Sequence, residues 1–173
     1  MLLRPANYPD AVPGEGSVLT DAAGVSILVI NLLGIVMMDP LENPFFAAEK
    51  ILARYCGKYD ISILDFHAEA TSEKQALAFY LDGRITLFYG THTHVPTADE
   101  CILPNGTAYI TDIGMCGPQF SVLGIKPESI IEKMTTGLPV KFIPSTNPVV
   151  AHGIEVEIDR KTKKALSIRR ITF

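Results

Sequence analysis

Three of the four histidines stand where apolar stretches end. Ile61-Ser62-Ile63-Leu64-Asp65-Phe66 runs straight into His67, and Ile85-Thr86-Leu87-Phe88-Tyr89-Gly90 is followed by Thr91-His92-Thr93-His94. Neutral imidazole is the commonest protein ligand for transition metals, so such a group points to Zn, Mn, Fe or Co ahead of Ca or Mg. Alternate residues of a strand share a face, so His92 and His94 can point the same way as the chain leaves a sheet. Taken singly, each histidine is as readily a structural or solvated side chain. Their common place at the carboxyl ends of strands, where open α/β sheets collect ligands, is what favours one metal site. Gly90 is expected to let the backbone turn sharply before the histidines, and Pro96 to end any central ladder.

The elements that must position these side chains follow from pattern. Met1 to Asp21, rich in Pro, Gly and Asn, reads as irregular, and Ser26 to Asn31 as a buried strand. Pro44 opens a helix expected to carry Phe45, Phe46, Ala48, Ile51, Leu52 and Tyr55 toward a core and to stop near Gly57. After the Ile61–Phe66 strand, Ser72-Glu73-Lys74-Gln75 has capping-box spacing and predicts a helix through Ala76, Leu77, Phe79 and Tyr80. Leu103-Pro104-Asn105-Gly106 marks a turn before a strand at 107–111. Asp112-Ile113-Gly114-Met115-Cys116-Gly117-Pro118 then lies on the histidine side of the sheet, either as a ligand-approaching loop or as a plain turn. A short helix is expected over 127–134, with Ile130, Ile131 and Met134 on one face. Strands are expected at 140–143 and 154–158, the latter alternating apolar and acidic residues, with a polar hairpin connection over 159–164. His152, apart from the other three, reads as structural or surface.

The chain has 173 residues, 47% hydrophobic and 20% charged, which suits one globular domain over 1–173. A net charge of -4 without any Lys/Arg block argues against a broad nucleic-acid surface, although a small phosphate ligand held through metal is compatible. The run from Val25 to Met38 is too short and too interrupted for a membrane span, and Pro5 precedes any signal-like apolar region. Cys56, Cys101 and Cys116 are odd in number and lack C-x-x-C spacing, which fits a reducing cytoplasm better than a disulfide framework.

At the residues singled out above, the chain resembles the YmdB-like family of bacterial calcineurin-type metallophosphoesterases. The resemblance is carried by Leu3-Arg4-Pro5-Ala6-Asn7-Tyr8-Pro9, Asp65-Phe66-His67-Ala68-Glu69-Ala70-Thr71-Ser72-Glu73-Lys74, Gly90-Thr91-His92-Thr93-His94-Val95 and Thr111-Asp112-Ile113-Gly114-Met115. It implies an α/β fold, a calcineurin-like sandwich of two β-sheets flanked by helices. It also implies a centre of two divalent transition metals (Fe, Mn or Zn) and hydrolysis of phosphodiesters such as 2′,3′- or 3′,5′-cyclic nucleotides by activated water. Carried over position by position, His67 and His92 match ligands of one metal and His94 a ligand of the other. Asp65 is either a partner that orients an imidazole or a strand-end cap.

The resemblance also implies an Asp after a first strand, a Glu/Asn pair with a bridging carboxylate, and an Asn-His pair with the catalytic His, all ahead of the region that this chain matches. None is found in its place here, since Glu42-Asn43 lies in a Pro-flanked loop; Ile35 stands where related sequences tend to carry Arg. The expectation is therefore an N-terminally truncated phosphodiesterase that lacks the N-terminal strands, has little activity alone, acts on a small phosphodiester and self-associates through exposed sheet edge. One rival is a non-catalytic metal-binding or subunit-interaction fragment that complements a separate N-terminal half. An amidohydrolase, whose H-x-H opens an eight-unit barrel, needs considerably more chain.

Overall fold

The computed structural model describes residues 2–173. Nine strands and three helices occur among them, in the order β1 (Ser17–Ala22), β2 (Val25–Leu33), α1 (Pro44–Arg54), β3 (Ile61–His67), α2 (Thr71–Leu81), β4 (Leu87–Thr91), β5 (Cys101–Ile102), β6 (Ala108–Ile110), β7 (Cys116–Pro118), α3 (Pro127–Thr136), β8 (Val149–Ile158) and β9 (Ala165–Thr172). The larger sheet runs β1-β2-β3-β4-β6-β5, and a smaller one runs β7-β8-β9. Strands β2, β3, β4 and β6 are parallel, so all end on the same side. Helices α1 and α2 make the crossovers that parallel neighbours require.

Alternation along the parallel strands divides the packing. Leu28, Ile30, Leu32, Leu64, Phe66 and Phe88 face α1 and α2, which return Ala47, Ala48, Ile51, Leu52, Leu77, Ala78 and Leu81. On the opposite face, Leu87 and Ala108 pack with Ala165 and the partly buried Ile154, Val156 and Ile168 of β8 and β9. The parallel strands rest on the first cluster, and the small sheet clamps the second across β4 and β6.

The leading irregular segment ends at Gly16, because residues 17–22 form an antiparallel edge strand on β2. Ala23 and Gly24 make the two-residue turn between them, both with positive φ (53° and 77°), the backbone of a type I′ hairpin. Alanine at the first of those positions hid the signal. No strand forms at 140–143. Pro139 and Pro144 deny backbone donors on both sides, and one isolated bridge, Ile125 to Pro144, is what remains. Helix α2 begins at Thr71 without a side-chain cap, so the Ser72–Gln75 box does not form. Phe46, Phe79, Tyr80, Ile131 and Met134 are exposed, and Ser129 is the buried residue of α3.

Asn7, from the first motif, anchors the segment before β1. Its amide donates to the carbonyls of Leu33 (2.7 Å) and Glu42 (3.0 Å), and its side-chain oxygen accepts from Leu33 N (3.0 Å). It is 1% exposed, so water cannot replace a lost partner. Asn7→Ala is expected to cost about 3 kcal/mol in urea denaturation, because buried backbone groups lose their mates. A loss below about 1 kcal/mol would mean that the segment rearranges to satisfy them.

Candidate metal centre

His67 is the last residue of β3 and lies in register with Thr91, the last of β4. Thr91 Oγ1 is 3.0 Å from His67 Nδ1. His67 Nε2 faces His92 Nδ1 at 3.1 Å, and the two rings meet edge to face with centroids 5.0 Å apart. On its other side, His92 Nε2 contacts the Glu69 carboxylate. The His67 ring titrates below the ordinary imidazole value; burial is the largest cause, followed by the neighbouring His92 ring and by Lys74. It is therefore neutral at pH 7, the form that binds metal.

The strand does not continue through the second histidine motif. Strand β4 ends at Thr91, and His92 and His94 have φ of 130° and 66°, so the two-residue alternation of a strand does not govern them. His92 turns to His67, while His94 remains exposed without a hydrogen-bond partner among the described residues. Nor does Gly90 serve a turn. Its backbone is extended within β4, and a Cβ there would lie 1.9 Å from Thr111 O. The glycine permits close approach between chain segments.

What fixes the irregular histidine loop is Asp112, at 0% exposure. Its Oδ2 accepts from Thr93 N (2.8 Å) and from Lys74 Nζ (3.4 Å), and its Oδ1 accepts from Gly114 N (2.9 Å). Lys74 is equally buried. The loop at 112–115 thus holds the histidine backbone from below and then enters β7 at Cys116. The carboxylate of Glu73 does comparable work nearby, accepting from Ile35 N (2.9 Å) and Val36 N (3.3 Å). Residue pattern alone assigns no role to Lys74, Asp112 or Glu69. The collinear motifs that contain them are the signal the sequence offers.

Asp65 shares the face of His67 but does not touch its ring. One carboxylate oxygen accepts from Asn31 Nδ2 at 2.8 Å, and the other is buried without a partner. It makes no direct hydrogen bond to the imidazole; the atom on His67 Nδ1 belongs to Thr91. Burial raises the Asp65 pKa above the usual carboxylate value. The folded state then holds that proton more tightly than the unfolded state, so stability falls as pH rises through the window between the ordinary and raised values. Asp65→Asn is expected to gain stability over the parent as pH rises through that window and to keep the gain at neutral pH. Urea midpoints of both proteins from acid to neutral pH test this, and a pH-independent difference would contradict it.

His152 donates its backbone N–H to Met115 O (3.4 Å) and places Nδ1 3.2 Å from Thr172 Oγ1, so it belongs to the β7–β8–β9 side of the loop. Cys56, Cys101 and Cys116 are exposed and unbonded. No helix among the described residues is long and apolar enough to cross a membrane.

The donor set fits a metal at one point. Two ligands of a tetrahedral ion at about 2.0–2.1 Å are separated by about 3.3 Å, close to the 3.1 Å between His67 Nε2 and His92 Nδ1. Among the described residues, however, no three His, Cys, Asp or Glu side chains gather into a complete cage.

The family described as YmdB-like protein matches residues 1–171. The chain is 48% identical over 170 residues to the 2′,3′-cyclic-nucleotide 2′-phosphodiesterase of Bacillus subtilis, an alignment that covers 98% of this chain and 64% of that protein. Among solved structures it is similar to a hypothetical protein from Thermus thermophilus, with a TM-score of 0.90, 39% identity, and coverage of 99% of this chain and 66% of that one. A novel phosphatase from Mycoplasma pneumoniae matches with a TM-score of 0.88 and 39% identity, covering 99% and 63%. The chain thus spans less than two thirds of the curated relative's length. By this match over nearly all its residues, the chain belongs to the YmdB-like protein family.

Proposed function

We propose that this chain carries part of the active centre of a metal-dependent phosphodiesterase with a calcineurin-like two-sheet sandwich, acting on 2′,3′-cyclic nucleotides or closely related phosphodiesters. The observation that carries the reading is the convergence of His67 Nε2 and His92 Nδ1 at the ends of adjacent strand segments. Family membership and the name of the Bacillus subtilis relative support the substrate class.

His67 and His92 would hold one divalent transition metal, and His94 would serve a second. Such ions, when bound, polarise the phosphoryl group and activate water for attack on phosphorus. The chain's own residues supply position. Burial keeps His67 neutral, Thr91 fixes the direction of its ring, and Asp112, paired with Lys74, anchors Thr93 N between the two positive-φ residues His92 and His94. The exposure of His94 leaves it free to complete a second ligand set.

Only two imidazoles converge among the described residues, and this supports a centre whose remaining donors come from the part of the relatives' length that this chain does not span. A lone-chain preparation would then hold at most one metal and turn over little. Elemental analysis, with hydrolysis of bis(p-nitrophenyl) phosphate and 2′,3′-cyclic AMP in Mn²⁺, tests this. Two metals per chain with turnover would overturn the incomplete-centre reading. Absence of hydrolysis by a preparation extended to the relatives' full length would overturn the phosphodiesterase reading itself.

A further inference from the structure

Glu69 lies in the short connection between β3 and α2, two residues after His67, and its side chain reaches across to the tip of the His92 ring. His92 therefore sits between two partners. Its Nδ1 faces His67 Nε2 at 3.1 Å, and its Nε2 meets the Glu69 carboxylate. A carboxylate oxygen is the natural acceptor for an imidazole N–H, so this contact suits a proton on Nε2. In the neutral ring the other nitrogen, Nδ1, is then left with its lone pair toward His67.

We infer that Glu69 is a positioning residue, fixing the tautomer and orientation of His92 so that Nδ1 is the nitrogen offered to a divalent transition metal shared with His67. The inference rests on the reading of His67 and His92 as ligands of one metal. A histidine ligand without an outer partner divides its proton between two nitrogens and rotates about its side-chain bonds. A carboxylate on the far nitrogen removes both freedoms and makes the ring a better donor, an arrangement worth roughly 10–100-fold in metal affinity. Backbone geometry makes that help more consequential here. His92 follows the end of β4 with φ of 130°, so no regular ladder orients its side chain. Thr91 supplies the equivalent hold on His67 through Nδ1, which leaves Nε2 as the facing atom. Both rings are thus gripped on the side away from their common point.

The test uses the chain as it stands, with Co²⁺ as the probe. Affinity is measured by calorimetry together with the visible absorption of the bound ion, for the parent, Glu69→Ala, Glu69→Gln, His67→Ala and His92→Ala. Nitrogen chemical shifts of His92 in the chelated protein read its tautomer, and urea midpoints in chelator monitor the fold. Glu69→Ala is expected to weaken Co²⁺ binding roughly 10–100-fold, to shift His92 from a single Nε2–H tautomer to a mixture, and to leave the urea midpoint unchanged. Glu69→Gln, which keeps an acceptor, is expected to fall between parent and alanine. Parent-like affinity and tautomer in Glu69→Ala, with both His variants losing the metal, would overturn the role of Glu69 and leave the shared site standing. Parent-like affinity in His67→Ala and His92→Ala, or no binding by the parent, would overturn the shared site and the inference with it.

Discussion

Lys74→Ala is expected to lower the stability of the chain by about 3–5 kcal/mol, the largest effect of any single charge removal here. Lys74 and Asp112 are both fully buried and 3.4 Å apart. Deleting the lysine leaves a carboxylate in a low-dielectric setting with only the N–H groups of Thr93 and Gly114 for company, and it also empties the volume of the lysine stem. Exposed pairs such as Lys50–Glu42 and Arg169–Glu155 contribute little by comparison, because water and salt screen them. Chemical denaturation at fixed salt measures the difference. The same variant should release the histidine loop, so Co²⁺ affinity should fall with stability. A loss under about 1 kcal/mol would mean that the pair is not the buried support placed beneath His92 and His94.

Gly90→Ala comes next, at about 3 kcal/mol or more. A methyl group at this position would lie 1.9 Å from Thr111 O and 2.9 Å from Lys74 Cδ. Lysine can shift, but the carbonyl of Thr111 belongs to the backbone that leads directly into Asp112. Strand β4 would have to move away from that segment, carrying Thr91 and His92 with it. Gly24→Ala provides the contrast: no atom lies within 4 Å of its added Cβ, and φ of +77° alone should cost roughly 1–2 kcal/mol. Thermal and urea unfolding of both variants separate steric overlap from left-handed backbone strain. Equal effects would contradict the close-approach assignment of Gly90.

The parallel half of the fold was legible because its physical demands appear in residue order. Apolar runs ending in His67 and near His92, separated by segments suited to helices, state the β–α–β alternation directly. Pro44 marks the start of α1, and the structure adds Asn43, which caps Phe45 N at 2.9 Å. What escaped was the inward turn of the charged pair on α2. Glu73 and Lys74 fall on the buried side of α2, where periodicity places charge in solvent, so the motif reads as a capping box instead of two separate supports. The two-residue rule likewise fails for His92 and His94 because it assumes extended backbone, while both positions are left-handed. The conformation comes from a contact 19 residues further on, between Thr93 N and Asp112, which no local pattern expresses. Val140 to Ile143 fails in the opposite sense: its β-favouring side chains lie between prolines that remove the donors a ladder needs.

On the proposed function, His67 and His92 share one transition metal through Nε2 and Nδ1. Anomalous diffraction from crystals of the chain grown with Zn²⁺, recorded on both sides of the zinc edge, tests it most directly. A peak is expected between these two nitrogens, at about 2.0–2.1 Å from each, with the Glu69 carboxylate still against His92 Nε2. A peak bound to His94 or His152 while the His67–His92 gap stays unfilled at saturating metal would contradict it.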